Sequence, residues 1–157
     1  MREASRFTTA YGIDVERIGN ELRLSRPKRV PEETPAAIAL PIPGRATWGT
    51  ITIAADFDTE TSSDETIDID RIDAPESLLI RGPIVGDTFA PLGMNGQTQR
   101  LSDFLRGRGI ARNDRSQIPV VSDAQGIIWV VGHRIADRVR VSSETARVLH
   151  LRVIHCD

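Results

Sequence analysis

Residues Leu78 to Ile135 decide the fold, and they read LLIRGPIVGDTFAPLGMNGQTQRLSDFLRGRGIARNDRSQIPVVSDAQGIIWVVGHRI. The apolar run at the start predicts a buried strand, and the glycines and prolines after it predict a loop. The segment that follows is predicted to be a helix, and Gly107 and Gly109 end it, because glycine adopts the left-handed conformation of helix ends at little cost. Four residues repeat at the i, i+3, i+4, i+7 spacing of one helical face: Leu101, Phe104, Leu105 and Arg108.

Two strands are predicted after this helix, Pro119 to Ser122 and Ile127 to Gly132, around a turn at residues 123–126. A short helix, Asn113 to Gln117, precedes them and is stopped by Pro119. Outside the central stretch, further short segments with an apolar or alternating pattern predict more strands: Ala36 to Ile42 (with edge-type prolines), Trp48 to Ala54, Thr66 to Asp70, Arg138 to Val141 and Val148 to Ile154. Eight or nine short strands against one main and one short helix predict a β-rich α+β domain, a small sandwich or mixed sheet.

The sequence predicts that the chain has two parts, an N-terminal hairpin with a linker and a main domain. Residues 1–35 contain a hairpin, Val15 to Leu24, whose Gly19-Asn20 pair favours a tight turn, and then a polar linker. Residues 36–157 form the main domain. Within it, residues 56–65 are acidic, rich in serine and threonine, and offer little to bury, so we expect a mobile loop there.

The composition is that of a soluble protein, with 39% apolar and 27% charged residues. No apolar run reaches the length of a membrane span, so no membrane partner is predicted. The single cysteine, Cys156, excludes an internal disulfide and favours a cytoplasmic location.

The sequence contains no recognisable active site. It has no G-x-x-x-x-G-K-[ST] phosphate loop, and its three histidines lack the spacing of a metal site, so neither a cofactor nor a metal is predicted within the chain. Asp87 lies in a glycine-rich turn, where hydrogen bonding within the turn is reason enough for an aspartate. The alternative, a small enzyme that uses the Asp87 loop, stays open, and so does the question whether the chain is an enzyme.

One ordered set of motifs resembles the C-terminal domain of tRNA(Ile)-lysidine synthetases. The order is L-x-x-R, G-D-x-F-x-P-x-G, an L-x-x-x-L helix, R-x-x-x-P-V-V, and I-x-W-V-x-G-x-R-I. The matching positions cover about half of the chain: Arg81, Gly86, Asp87, Phe89, Pro91, Gly93, Leu101, Leu105, Arg115, Pro119, Val120, Val121, Trp129, Val130, Gly132, Arg134 and Ile135.

The resemblance implies a fold like the domain that lysidine synthetases share with phenylalanyl-tRNA synthetase. It implies a non-catalytic C-terminal part of a ligase that joins lysine to the wobble cytidine of tRNA(Ile). In that family a separate N-terminal domain uses ATP and Mg, while the C-terminal region helps to hold the acceptor-stem side of the tRNA. The partners implied are therefore tRNA(Ile) and the chain's own N-terminal catalytic domain. The alternative is a protein-docking or homodimerisation module without RNA contact.

The charge pattern is compatible with an RNA partner. Residues 77–157 hold 11 basic and 7 acidic side chains, whereas residues 56–76 hold 1 and 9. Arginine suits bidentate phosphate contact, although a solvated basic face that pairs with Asp103 and Asp114 would need no RNA. Seven arginines are the candidate RNA contacts: Arg81, Arg100, Arg106, Arg108, Arg112, Arg115 and Arg134.

Overall fold

The computed structural model describes residues 6–8, 14–18, 20–25 and 34–154. The chain divides into two compact units, residues 1–33 and 34–157. The first contains three antiparallel strands in the order β1-β2-β3: β1 (Arg6–Thr8), β2 (Asp14–Ile18) and β3 (Glu21–Ser25). Ile18 pairs with Glu21, so the predicted hairpin is present. Strand β1 was not predicted.

The second unit contains two antiparallel sheets and a short ribbon. The five-stranded sheet has the spatial order β13-β12-β11-β8-β4, with β13 (Arg134–Ile135), β12 (Ile127–Val130), β11 (Val120–Ser122), β8 (Leu79–Arg81) and β4 (Ile38–Ala39). The four-stranded sheet has the order β5-β6-β14-β7, with β5 (Gly44–Trp48), β6 (Ile51–Asp56), β14 (Val148–Ile154) and β7 (Glu65–Asp68). The ribbon pairs β9 (Thr88–Phe89) with β10 (Gln99–Arg100).

One α-helix, α1 (Leu101–Gly107), follows the ribbon directly. Four short 3-10 helices complete the described part of this unit: Ile69–Arg71, Pro75–Ser77, Arg112–Gln117 and Asp137–Val139. No helix among the described residues is both long and apolar enough to cross a membrane.

A single hydrophobic core joins the two sheets and α1. Ile53 and Leu149 come from the four-stranded sheet, Ile80 and Ile128 from the five-stranded sheet, and all four are completely buried. Burying such a side chain contributes roughly 1.5–3 kcal/mol, so this shared core is the main reason for the sandwich. Helix α1 joins it through the three predicted apolar residues, Leu101, Phe104 and Leu105.

The predicted β-rich α+β class is confirmed, and so is the main helix. Two local predictions are wrong. The segment Trp48 to Ala54 is not one continuous strand: Trp48 ends β5, Gly49 (φ +60°) lies in the turn, and β6 begins only at Ile51. The alternation at Arg138 to Val141 is not a strand, since a 3-10 helix spans Asp137–Val139.

Candidate nucleic-acid interface

A basic surface segment runs from the end of β10 to the 3-10 helix after α1. Residues 100–115 contain five arginines and only two acidic residues, Asp103 and Asp114. Because α1 buries its apolar face, Arg106 on its other face is 72% exposed. Arg100 and Arg112 are also exposed, and neither has an ion-pair partner within the described ranges. This segment is the candidate interface, and we call it the arginine face: Arg100, Arg106, Arg108, Arg112 and Arg115.

Two members of the arginine face have weak or replaceable contacts. Arg106 forms an ion pair with Asp103 at 2.7 Å, three residues earlier on α1. Exposed pairs of this kind contribute only about 0–1 kcal/mol, so a phosphate can compete for the guanidinium. The guanidinium carbon of Arg108 lies 5.1 Å from the centre of the Phe104 ring and stays exposed at the end of α1. A stacked arginine keeps its edge N–H groups for a further acceptor.

Arg115 has a local structural contact as well. Its Nε donates to the carbonyl of Ile110 at 3.3 Å, which ties the 3-10 helix to the end of α1. The side chain is half-buried. Arg115 is therefore less available to a ligand than Arg106 or Arg112.

Arg81 is the last residue of β8, and its side chain extends into the loop that follows. Its two terminal nitrogens donate to the two carboxylate oxygens of Asp87 at 2.8 and 3.0 Å, and its side chain is 16% exposed. The Ile84 backbone N–H also donates to Asp87, at 2.7 Å. The structure thus shows the predicted structural role of Asp87, whose carboxylate accepts a hydrogen bond within the turn. The donor is the backbone N–H of Ile84, three residues earlier. Contact between Arg81 and RNA stays a prediction.

Arg134 is likewise held by an internal contact. Its Nη1 donates to the carbonyl of Leu92 at 2.8 Å, and the side chain is half-buried. The Arg134 side chain therefore joins β13 to the glycine- and proline-rich loop that contains Leu92. The structure thus brings five of the seven predicted arginines onto one segment and places Arg81 and Arg134 elsewhere, each within a loop contact.

His133 lies beside the arginine face. Its ring meets the Phe104 ring edge-on, with 6.3 Å between the centres. Burial and the nearby charge of Arg108 lower the pKa of His133 below its ordinary value. The imidazole is therefore neutral at physiological pH and adds no charge to the face.

A cavity of about 530 Å³ was missed by the sequence analysis. It lies between the ends of the two sheets, with Glu65, Gln117, Trp129 and His133 among its lining. These residues are up to 68 positions apart in sequence (65 to 133), so no local motif could have predicted the site. No group of three or more potential metal ligands lies close together in the part of the chain that the structure describes.

Fold and surface together define a small β-rich α+β domain with a basic edge beside its helix. The family model described as "TilS substrate C-terminal domain" matches residues 78–153. This match covers the central stretch, with four strands of the five-stranded sheet, and nearly all of β14 in the four-stranded sheet. Residues 78–153 of the chain therefore match the C-terminal domain of the tRNA(Ile)-lysidine synthase family.

Curated relatives agree with this assignment. The tRNA(Ile)-lysidine synthase of Caldanaerobacter subterraneus subsp. tengcongensis is 41% identical over 76 residues, which is 45% of this chain and 16% of that protein. The synthase of Dehalococcoides mccartyi is 35% identical over 59% of this chain and 19% of its own length. The synthase of Parabacteroides distasonis is 35% identical over 53% of this chain and 18% of its own length. The matches thus span less than a quarter of the relatives.

A solved structure described as "Crystal structure of TILS C-terminal domain" has the same fold. Its TM-score is 0.64 at 22% sequence identity, over 78% of this chain and 98% of that chain. At this identity the similarity shows the fold alone.

Proposed function

We propose that this chain holds tRNA(Ile), on the acceptor-stem side, for a tRNA(Ile)-lysidine synthase. In this proposal the chain is the C-terminal part of that ligase and performs no catalysis. A separate N-terminal domain binds ATP and Mg and joins lysine to the wobble cytidine. The names of the curated relatives support this role.

The arginine face is the observation that carries the proposal. Within residues 100–115 it concentrates five cations against two acids, and Arg100, Arg106 and Arg112 are exposed to solvent. Arginine presents a planar set of donors that matches phosphate oxygens, and basic surfaces of this kind supply most of the affinity for a nucleic-acid backbone. Arg81 and Arg134, with their internal partners, hold the loops beneath and do not need to touch RNA.

Salt dependence tests the proposal. Each phosphate contact adds about −0.7 to −0.9 to the slope of log affinity against log salt, because bound counterions are released. We expect a slope of roughly −2 to −3 for three contacts with a tRNA(Ile) transcript, measured by fluorescence anisotropy. The triple variant Arg100→Gln/Arg106→Gln/Arg112→Gln should lose most of this slope and keep its melting temperature, since all three side chains are exposed.

A matched control uses three exposed arginines outside the arginine face: Arg45→Gln/Arg140→Gln/Arg147→Gln. This control removes the same charge, so it should retain the slope of the unmodified chain. An equal loss in both variants would mean that only the overall charge attracts RNA. Absence of binding by the unmodified chain would contradict the proposal.

The second candidate function is a docking or homodimerisation module. Its motive is the apolar tip of the loop after β8, where Ile84 is 60% exposed and Val85 is fully exposed. Sedimentation of the chain over a range of concentrations separates the two. A dimer together with absent RNA binding would favour the docking module.

A further inference from the structure

The cavity between the ends of the two sheets has the size of a ligand site. Its volume of about 530 Å³ lies within the range of roughly 300–1,000 Å³ typical of small-molecule pockets. One wall comes from the start of β6 and the end of β14, and the other comes from the segments that flank β11 and β12. The cavity is open on one side and belongs entirely to the second unit.

The lining combines apolar walls with a few polar groups. Ile118 and Val131 are among the apolar members, and Glu65, Gln117 and His133 are among the polar members. A neutral imidazole, a side-chain amide and a carboxyl group offer both donors and acceptors. Such a mixture suits a flat ligand with apolar faces and a polar edge.

Trp129 supplies an unused donor. It lines the cavity and is fully buried, and its indole Nε1–H has no acceptor among the described residues. A buried donor without an acceptor costs roughly 1–3 kcal/mol. Because the Nε1 atom has almost no exposed surface, the indole senses a ligand through the packing of the cavity wall and not through a direct bond.

The cavity adjoins the arginine face. Gln117 is the last residue of the 3-10 helix that carries Arg112 and Arg115. On the other side, His133 contacts the Phe104 ring, over which Arg108 lies. A nucleotide whose phosphate is held by the arginine face can therefore direct its base toward the cavity.

We propose that this cavity binds a single unpaired nucleobase that carries an exocyclic amino group. This inference rests on the proposed function, in which the arginine face holds the phosphates. Unpaired RNA bases are recognised by stacking and by hydrogen bonds to their edges. The Glu65 carboxylate accepts from an amino group, as acidic side chains accept from the amino group of cytosine, and it disfavours uracil, whose corresponding edge group is a carbonyl.

The two tryptophans provide a direct test with an internal control. The chain has only two, Trp48 and Trp129, and both indole N–H groups are buried without an acceptor among the described residues. Trp129 lines the cavity, whereas Trp48 does not. Titration of the ¹⁵N-labelled chain with adenosine should shift the Trp129 indole resonance saturably and leave that of Trp48 unchanged. Trp48→Phe assigns the two signals.

Uridine and two variants complete the test. Uridine should bind about tenfold more weakly than adenosine, the effect of one lost hydrogen bond to a charged group. Glu65→Gln should remove this preference, because an amide can donate to the uracil carbonyl. Glu144→Gln removes the same charge at an exposed position outside the cavity and should keep the preference.

Adenosine has no phosphate, so its result is independent of the arginine face. A Trp129 shift without any binding of tRNA would sink the proposed function alone and identify the ligand as a free nucleoside or nucleotide. Salt-dependent tRNA binding without a Trp129 shift would overturn the cavity proposal alone. Equal shifts with adenosine and uridine would also overturn it.

Discussion

At the scale of single residues, Asp123 connects its turn to two other parts of the chain. Its fully buried carboxylate accepts from the backbone N–H groups of Asp73, Gln125 and Gly126 at 2.9–3.1 Å. Arg138 adds two bonds at 2.6 and 2.7 Å. Burial alone would raise the pKa of Asp123, but the bonds from Arg138 and Asp73 outweigh burial and lower it. The partners are 50 and 15 positions away, so the turn motif could not reveal them.

Arg138→Met should therefore destabilise the chain strongly. It leaves the Asp123 carboxylate buried without its cation, and breaking a buried pair costs about 3–5 kcal/mol. Since Arg138 is 31% exposed, we expect the lower end, about 3 kcal/mol, in urea unfolding. The control Arg140→Met breaks an exposed pair with Asp137 at 3.4 Å and should cost less than about 1 kcal/mol. Similar losses in both variants would refute a special role for Asp123.

Glu65 should make stability depend on pH. Burial raises the pKa of Glu65, although the charge of Arg134 opposes this. Because the pKa of Glu65 is higher in the folded state than in the unfolded state, protonation of Glu65 stabilises the fold. This stabilisation is fully present below the unfolded pKa and is lost as the pH rises through the folded pKa. Glu65→Gln mimics the protonated form, so its stability relative to the unmodified chain should increase as pH rises from about 4 to 7. A difference that stays constant over this range would contradict the expectation.

At the scale of elements, strand β14 was predicted with its full length, because Leu149, Leu151 and Val153 alternate cleanly. The ribbon β9–β10 was not predicted, since strands of two residues depend on their tertiary surroundings and leave no period in the sequence. The acidic loop at 56–65 joins β6 and β7 across β14, which lies between them. Its ends contact that strand: Arg152 donates to Asp56 at 2.6 Å, and the Val153 N–H donates to Asp64 at 2.6 Å.

The middle of the acidic loop should be dispensable, whereas its anchors should not. Replacing residues 59–62, which are exposed, with glycine and serine should lower the melting temperature by less than about 4 °C, roughly 1 kcal/mol for a chain of this size. Arg152→Met removes a bond to a charged group from a side chain that is only 11% exposed, and should cost about 2 kcal/mol. Calorimetry measures both. A larger loss for the loop replacement would show that the loop's own hydrogen bonds support the fold.

At the scale of the whole molecule, the sequence predicts most of the fold because Leu78 to Ile135 combines several consistent signals. The helical face, the glycine-rich loop and the apolar strands all indicate one layered structure. The arginine face could be predicted because its members are close in sequence. The cavity could not, since its lining is assembled only when the ends of both sheets meet.

The second unit should fold without the first. The solved domain of similar fold covers 78% of this chain, a share close to that of residues 34–157. A truncated chain of residues 34–157 should unfold cooperatively and keep the salt slope for tRNA, because the core and the arginine face both lie within it. Loss of cooperative unfolding would show that the first unit completes the core.

The residue at which the second unit begins should also affect its stability. The predicted domain starts at residue 36, but the methyl group of Thr34 lies beside Gly82, only 2.5 Å from the position that a Cβ atom on Gly82 would take. Pro35 similarly lies 3.3 Å from the corresponding position of Gly49. Removing both residues exposes the apolar surface that they cover, at about 0.8 kcal/mol per buried methylene. Residues 36–157 should therefore melt below residues 34–157 in side-by-side scans, and equal melting temperatures would mean that these two contacts contribute nothing to stability.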